Sequence, residues 1–167
     1  MTIADAQVQP VLVLGLGNQL LGDDAIGLVL ADAVRRAKSA DARIEVVDGG
    51  TQGLALLGRL DGRRGVLLLD AFSDGSKPGT VHCVADPLEA AAARAFGAHG
   101  STAGELLAAA RMTGVLPDAC VLVGVEPAVV QTRIGLSAPV RGALPEALVV
   151  ALRILERLAG EPQPCTS

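Results

Sequence analysis

The apolar positions of this chain fall into short β-branched runs that alternate with longer amphipathic stretches. Five of these runs, each bounded by glycine or by charged residues, predict β-strands at residues 11–14, 44–47, 66–69, 80–84 and 120–125. Strands that alternate with helices along a chain are typical of a layered α/β fold.

The stretches between the strands predict helices. Apolar side chains recur at helical spacing after the first strand and again near the end of the chain, at Ile26, Val29, Leu30, Ala33 and Val34 and then at Leu148, Leu152, Leu155 and Ala159. Pro145 suits the first turn of this last helix. Two further helices are expected at residues 51–58 and 101–112, the second with Ser101 as its N-cap.

One connection breaks this alternation. The segment DAFSDGSKPG, residues 70–79, is rich in turn residues and shorter than the dozen or so residues that a parallel crossover needs. The fourth strand is therefore predicted to run antiparallel to the other four.

Acidic residues follow the predicted parallel strands. Their positions are Asp23 and Asp24 after the first strand, Asp48 after the second, Asp70 after the third and Glu126 after the fifth. In open α/β sheets, ligands bind beyond the carboxyl ends of the strands, where the strand order reverses. The sequence thus predicts a cluster of carboxylates at the edge of the sheet where a ligand is expected.

Composition excludes several classes of function. The chain has 167 residues, a formal net charge of −4 and only two aromatic side chains, Phe72 and Phe96. It lacks the basic patch and the stacking platforms of a nucleic-acid-binding protein. Its three cysteines, Cys83, Cys120 and Cys165, are far apart and indicate neither a disulfide framework nor a thiolate zinc site.

The length predicts a single domain over residues 1–167, with residues 1–9 and 160–167 as flexible ends. No apolar run approaches the roughly 20 residues that span a bilayer, and the N-terminus has no secretory pattern. A cytoplasmic protein without membrane insertion is expected.

The loop LGLGNQLLGDDAIG, residues 14–27, begins like a phosphate-binding turn but departs from both known patterns. Leu20 stands where a dinucleotide fingerprint has its third glycine, and Asp23 and Asp24 stand where a P-loop has lysine and a hydroxyl residue. Two carboxylates at a helix N-terminus would repel an anion and favour a cation. Asp23 is predicted to be the helix N-cap, which leaves Asp24 as the functional acid.

The two histidines differ in setting. His82 lies within the strand TVHCV and is predicted to be structural, whereas His99 lies in a glycine-flanked loop before a helix. Asp48, in DGGT, is interpreted as a turn residue. Asp24, Asp70 and His99 would together form an O,O,N set suited to a divalent transition metal, with open coordination positions.

Five motifs in order resemble the hydrogenase maturation endopeptidases: LGLGNQLLGDDAIG, VDGGTQGLALL, LLLDA, HGSTAGELL and VLVGVEP. The resemblance covers about residues 11–158 and implies a three-layer α/β/α sandwich with a five-stranded mixed sheet and one antiparallel strand. It implies a protease that removes the C-terminal extension of a nickel-iron hydrogenase large-subunit precursor after nickel insertion. We expect the protein to be a monomer. Asp24, Asp70 and His99 then match the family's nickel-contacting residues, with nickel supplied by the precursor. Asp24 stands where some members carry glutamate.

Several alternatives stay open at this stage. Nickel would serve either as a recognition handle or as an activator of the attacking water, with His99 or a carboxylate as base. The sequence is equally compatible with a non-catalytic, nickel-dependent assembly factor that binds the precursor without cutting it. Peptidyl-tRNA hydrolase shares the GLGN start, but here it continues QLLGDD and the net charge is acidic.

Overall fold

A five-stranded sheet forms the centre of the molecule. The computed structural model describes residues 10–89 and 102–160. The strands are β1 (Val11–Leu16), β2 (Ile44–Gly50), β3 (Val66–Ala71), β4 (Val81–Ala85) and β5 (Cys120–Val125), in the order β2-β1-β3-β5-β4. All five predicted strands are confirmed, with the first three extending further at their carboxyl ends.

The sheet is mixed, as the short connection at residues 70–79 predicts. Strands β2, β1, β3 and β5 pair in parallel, whereas β4 pairs antiparallel with β5 and forms an edge. The chain moves from β1 to β2 on one side and then returns to β3 on the other side of β1. The strand order therefore reverses between β1 and β3.

Helices cover both faces of the sheet and complete the three-layer α/β/α sandwich. Four of them are α1 (Ile26–Ala37), α2 (Leu57–Leu60), α3 (Thr102–Thr113) and α4 (Ala138–Ala159). Helices α1 and α4 enclose one core with the odd-numbered residues of β1 and β3, and α2 and α3 enclose the other with the even-numbered ones. Because side chains alternate across a strand, the apolar runs of β1 and β3 supply both cores.

Two helix predictions are wrong in their bounds. The expected helix at residues 51–58 is a 3₁₀ turn, Gly53–Leu56, followed by the single turn α2. The last helix begins seven residues before Pro145, with Pro139 in its first turn, so Pro145 lies inside α4. Its buried stripe is rich in small residues, Ala143, Ala147, Ala151 and Ala159, which a search for large apolar side chains overlooks.

The predicted flexible ends lie outside the described residues, except Gly160. The carbonyl oxygen of Gly160 accepts a hydrogen bond from Arg43 at 2.8 Å. Across residues 10–89 and 102–160, every helix is too short or too polar to cross a membrane.

Candidate functional site

Asp24 and Asp70 lie together where the strand order reverses. Asp24 belongs to a 3₁₀ turn, Gly22–Ala25, that follows β1 and leads directly into α1. Asp70 is the fifth residue of β3, which pairs with β1 in parallel. The negative charge of Asp24 helps to raise the pKa of the Asp70 carboxyl, so the two carboxylates are close enough to interact. They lie at the crevice that an open α/β sheet forms where its strand order reverses. The structure thus brings together two of the three predicted site residues.

Glycines allow α1 to approach the sheet closely enough to form this crevice. A Cβ on Gly27 would lie 2.2 Å from the carbonyl oxygen of Leu69 and 2.3 Å from that of Leu16. A Cβ on Gly15 would lie 2.5 Å from that of Ala31. Only glycine fits at such distances. The start of α1, and Asp24 with it, is consequently held against the ends of β1 and β3.

The first loop is folded around the Asp24 carboxylate. Asp24 Oδ2 accepts a hydrogen bond from the backbone N–H of Asn18 at 2.8 Å. Gly17 has a φ of +123°, and a Cβ there would lie 1.8 Å from the carbonyl oxygen of Asp24. Gly17, one of the glycines that resemble a phosphate-binding turn, therefore lets the backbone close around an acid.

Asp70 is the more perturbed of the two acids. Burial and then the charge of Asp24 raise its pKa from 3.8 to about 7, against the opposing effect of a 2.8 Å hydrogen bond that its Oδ1 accepts from the N–H of Ala71. Near neutral pH its carboxyl therefore exchanges a proton readily. A titratable group tuned in this way, in a crevice at the end of a parallel strand, is typical of a functional site.

Asp23 does not cap a helix, and this prediction is wrong. Its carboxylate is fully buried and accepts four hydrogen bonds from another segment: from the N–H groups of Ala128, Val129 and Ser137 and from the Ser137 hydroxyl, at 2.6–2.9 Å. Burial alone would raise the pKa of Asp23, but these hydrogen bonds lower it below its usual value. Asp23 is thus a structural anion that joins the first loop to the segment between β5 and α4.

Asp48 lies next to the crevice at the end of β2. It pairs with Gly15 of β1, and the backbone turns sharply after it at Gly50, whose φ is +48°. The side-chain amide of Gln52 donates a hydrogen bond to the Asp48 carbonyl at 3.4 Å. The interpretation of Asp48 as a turn residue is therefore wrong, because the strand continues through it to Gly50. Its exposed side chain lies on the wall of a neighbouring groove.

His99 lies outside the described residues, as does the predicted N-cap Ser101. The helix expected after them is present as α3, and it packs on the same face of the sheet as Asp70. The structure therefore describes the positions of the two carboxylates, and the ligand role of all three residues stays a prediction.

A groove and an exposed apolar rim next to the crevice were not predicted. The groove has a volume of about 540 Å³ and is lined by residues that include Gln19, Val29, Asp48 and Ile134. Leu20 and Ile134 are 60% and 84% exposed, and backbone hydrogen bonds at Arg133 hold their two segments together. Exposed apolar residues in loops that follow several different strands give no periodic sequence signal, which explains why they were missed.

Comparison with known proteins gives matches that agree on hydrogenase maturation. The hydrogenase maturation protease family HycI matches residues 29–154, a range that includes Asp70 and His99 but begins after Asp24. The hydrogenase 2 maturation protease of Escherichia coli K12 is 34% identical over 156 residues, which cover 92% of this chain and 95% of that protein. The hydrogenase expression/formation protein HupD of Rhizobium leguminosarum bv. viciae is 34% identical over 87% of this chain and 73% of its own length.

The fold matches as well. The hydrogenase maturating endopeptidase HybD from E. coli superposes with a TM-score of 0.78 at 32% identity, and the match covers 89% of this chain and 93% of that one.

Proposed function

Because this chain belongs to the hydrogenase maturation protease family, we propose that it removes the C-terminal extension of a nickel-iron hydrogenase large-subunit precursor after nickel insertion. The family and its similar relative are named as proteases, so the chain is a peptidase of hydrogenase maturation. This disfavours both the non-catalytic assembly factor and the peptidyl-tRNA hydrolase.

The observation that carries the proposal is the crowding of Asp24 and Asp70 in one crevice. The charge of Asp24 helps to raise the pKa of Asp70, and two like charges at one place are unfavourable alone but favourable around a divalent cation. The nickel of a loaded precursor would supply that cation. Asp24 and Asp70, with His99 by its sequence motif, would then contact nickel as part of the substrate.

The raised pKa of Asp70 bears on this contact, because a proton competes with a cation for the Asp70 carboxylate. With a pKa of about 7, Asp70 is protonated in part of the molecules at neutral pH. A nickel-loaded precursor would displace this proton and bind the charged pair, whereas a precursor without nickel offers nothing to replace it. We assign nickel to recognition first, since a contact that an immature precursor cannot make gives the protease its specificity. Asp70 or His99 would then serve as base toward the attacking water.

The groove beside the crevice would hold the protein part of the substrate. Its apolar and charged walls, with Val29 and Ile134 near Arg36 and Asp48, suit an extended peptide that carries both kinds of side chain. An exposed rim at Leu20 and Ile134 would contact the body of the large subunit. The partner of this surface is therefore the hydrogenase precursor.

The test is a cleavage time course on purified precursor prepared with and without nickel. Mass spectrometry of the products locates the cut. The proposal predicts loss of a C-terminal fragment from the nickel-loaded precursor alone. Cleavage of both forms at equal rates would contradict recognition through nickel, and an internal cut far from the C-terminus would contradict the processing reaction.

A further inference from the structure

We propose a second divalent-metal site on this chain, formed by Asp74, His82 and Glu126. One ligand atom from each residue lies within 4.8 Å of the other two. None of these residues belongs to the crevice of Asp24 and Asp70, and the inference does not depend on the proposed proteolytic function.

The mixed sheet brings these three residues together. His82 on the edge strand β4 pairs with Gly124 of β5, and Gly124 pairs with Asp70 of β3. Residues paired in this way lie on the same face of the sheet, so His82 and Gly124 share a face. Glu126 follows two residues after Gly124 and returns to that face. Asp74 comes from the connection between β3 and β4.

The distances from the His82 imidazole to the Asp74 and Glu126 carboxylates suit a cation bound by all three side chains better than direct hydrogen bonds between them. Within the described part of the chain, His82 Nε2 is buried and has no hydrogen-bond partner. It lies 3.7 Å from Asp74 Oδ1 and 3.8 Å from Glu126 Oε2, too far for a hydrogen bond. Two ligand atoms at about 2.0–2.2 Å from one ion lie roughly this far apart when the angle between them is wide. A buried, unsatisfied nitrogen between two carboxylates is costly unless something binds it.

Backbone and hydroxyl donors orient the two carboxylates. Asp74 Oδ1 accepts a 2.9 Å hydrogen bond from the N–H of Ser76 and another from the Ser76 hydroxyl. Glu126 Oε2 accepts one from the N–H of Asp74 at 2.9 Å. Hydrogen bonds to ligand carboxylates are typical of built metal sites, where they fix the orientation of each ligand.

Charge and ligand type indicate the class of ion. Two carboxylates and one neutral imidazole neutralise a divalent cation, and a mixed O,O,N set suits zinc, nickel or cobalt. The Glu126 side chain is 8% exposed and that of Asp74 is 18% exposed, so the site is largely enclosed but reachable from the Asp74 side. Three protein ligands leave at least one position for water.

The ring of Phe72 packs beside the proposed site. The ring of Phe72 lies 4.9 Å from that of His82, centroid to centroid. A Cβ at Gly124 would lie 2.4 Å from that of Phe72, so this glycine makes room for the phenylalanine. A bound ion would join Asp74, four residues after Asp70 in the connection between β3 and β4, to Glu126 at the end of β5.

The test is equilibrium dialysis with cobalt(II) on the full chain in the background Asp24→Asn/Asp70→Asn/Cys83→Ser. This background removes both crevice acids and the exposed thiol of Cys83, which would compete for the metal. We expect one cobalt ion bound per chain, a d–d absorption band, and a higher melting temperature in cobalt. His82→Gln and, separately, Glu126→Gln should each weaken binding at least tenfold, with unchanged far-UV circular dichroism. His99→Gln, the matched control on the other histidine, should leave the affinity unchanged.

Three outcomes would overturn the proposal. The background protein could bind no cobalt at millimolar concentration, His99→Gln could abolish binding, or both His82→Gln and Glu126→Gln could retain full affinity. Absence of binding together with an imidazolium NMR signal from His82 above neutral pH would identify an ion pair between His82 and its two carboxylates instead.

Discussion

Asp23 and Ser137 are joined by two hydrogen bonds across 114 positions of sequence. Asp23 Oδ1 accepts from the Ser137 N–H at 2.6 Å, and Oδ2 accepts from the Ser137 hydroxyl at 2.7 Å. Ser137 immediately precedes α4, so this contact fixes the start of the last helix against the loop that carries Asp24. The acid next to the candidate site is therefore what holds the site's loop in place.

Replacing Asp23 should lower the free energy of unfolding far more than replacing Ser137, whose hydroxyl donates to it. We expect Asp23→Ala to lower the free energy of unfolding by about 3 kcal/mol or more, since four donors lose a buried, charged acceptor. Ser137→Ala removes one donor and leaves its N–H in place, so a loss of about 1 kcal/mol is expected. Urea denaturation of both variants measures this, and equal losses would contradict the role given to the carboxylate.

The same contact predicts an acid-sensitive contribution to stability. The folded pKa of Asp23 is lowered, so its contribution is complete above the unfolded value of 3.8 and is lost as the pH falls through the folded value. The stability difference between wild type and Asp23→Ala should therefore shrink as the pH falls below about 4. A constant difference from pH 7 to pH 2 would show that the charge of Asp23 is not what matters.

Asp70 should have the opposite pH dependence. Its folded pKa, about 7, is raised above 3.8, so its contribution is fully present below pH 3.8 and is lost as the pH rises through 7. We expect Asp70→Asn to match wild type near pH 4 and to be more stable by roughly 1–3 kcal/mol at pH 8, because the amide carries no buried charge. Denaturation midpoints at pH 4, 6 and 8 check this, and a variant less stable than wild type at pH 8 would contradict it.

Asp24 should control the titration of Asp70. Asp24→Asn removes the second cause of the raised pKa but leaves burial, the larger cause, in place. The pKa of Asp70 should therefore fall below 7 yet stay above 3.8, as measured by carboxyl carbon chemical shifts. An unchanged pKa would mean that the two carboxylates do not share a crevice.

The close approach of α1 should depend on Gly27. Gly27→Ala places a methyl group against two strand carbonyls that cannot move independently, and we expect a loss of about 3 kcal/mol together with reduced cleavage. Gly142→Ala is the matched control, because among the described residues nothing lies within 4 Å of an added Cβ there. It should stabilise the exposed helix surface by about 0.5–1 kcal/mol. Similar melting temperatures for the two variants would contradict the account of this packing.

Most of the fold could be predicted because its signals are local. The apolar runs fix the five strands, and the ten-residue connection at residues 70–79 is too short for a parallel crossover. The ends of the helices were harder to predict. In α4 the buried residues are mostly alanines, which weaken a pattern based on large apolar side chains, and Pro145 inside the helix suggests a helix start that is not there. Helix propensity is a weak guide to where a helix begins and ends when tertiary packing determines those positions.

The candidate site was predictable in part for the same reason. Asp24 and Asp70 follow parallel strands, whose carboxyl ends meet at one edge. The partners of Asp23 and the position of Glu126 beside His82 could not be predicted, because these contacts join segments more than 40 residues apart that meet only in the folded chain. In the sequence, the fully buried Asp23 cannot be told apart from the half-buried Asp24 beside it.

The most direct test of the central claim is the cleavage rate of nickel-loaded precursor by wild type and Asp70→Asn, measured at pH 8 where both should be folded. Asp70→Asn keeps the size and shape of the side chain and removes its charge. We predict at least a hundredfold lower rate for this variant, with wild-type circular dichroism and an equal or higher melting temperature. Wild-type cleavage by a well-folded Asp70→Asn protein would contradict the assignment of Asp70 to the nickel-contacting site.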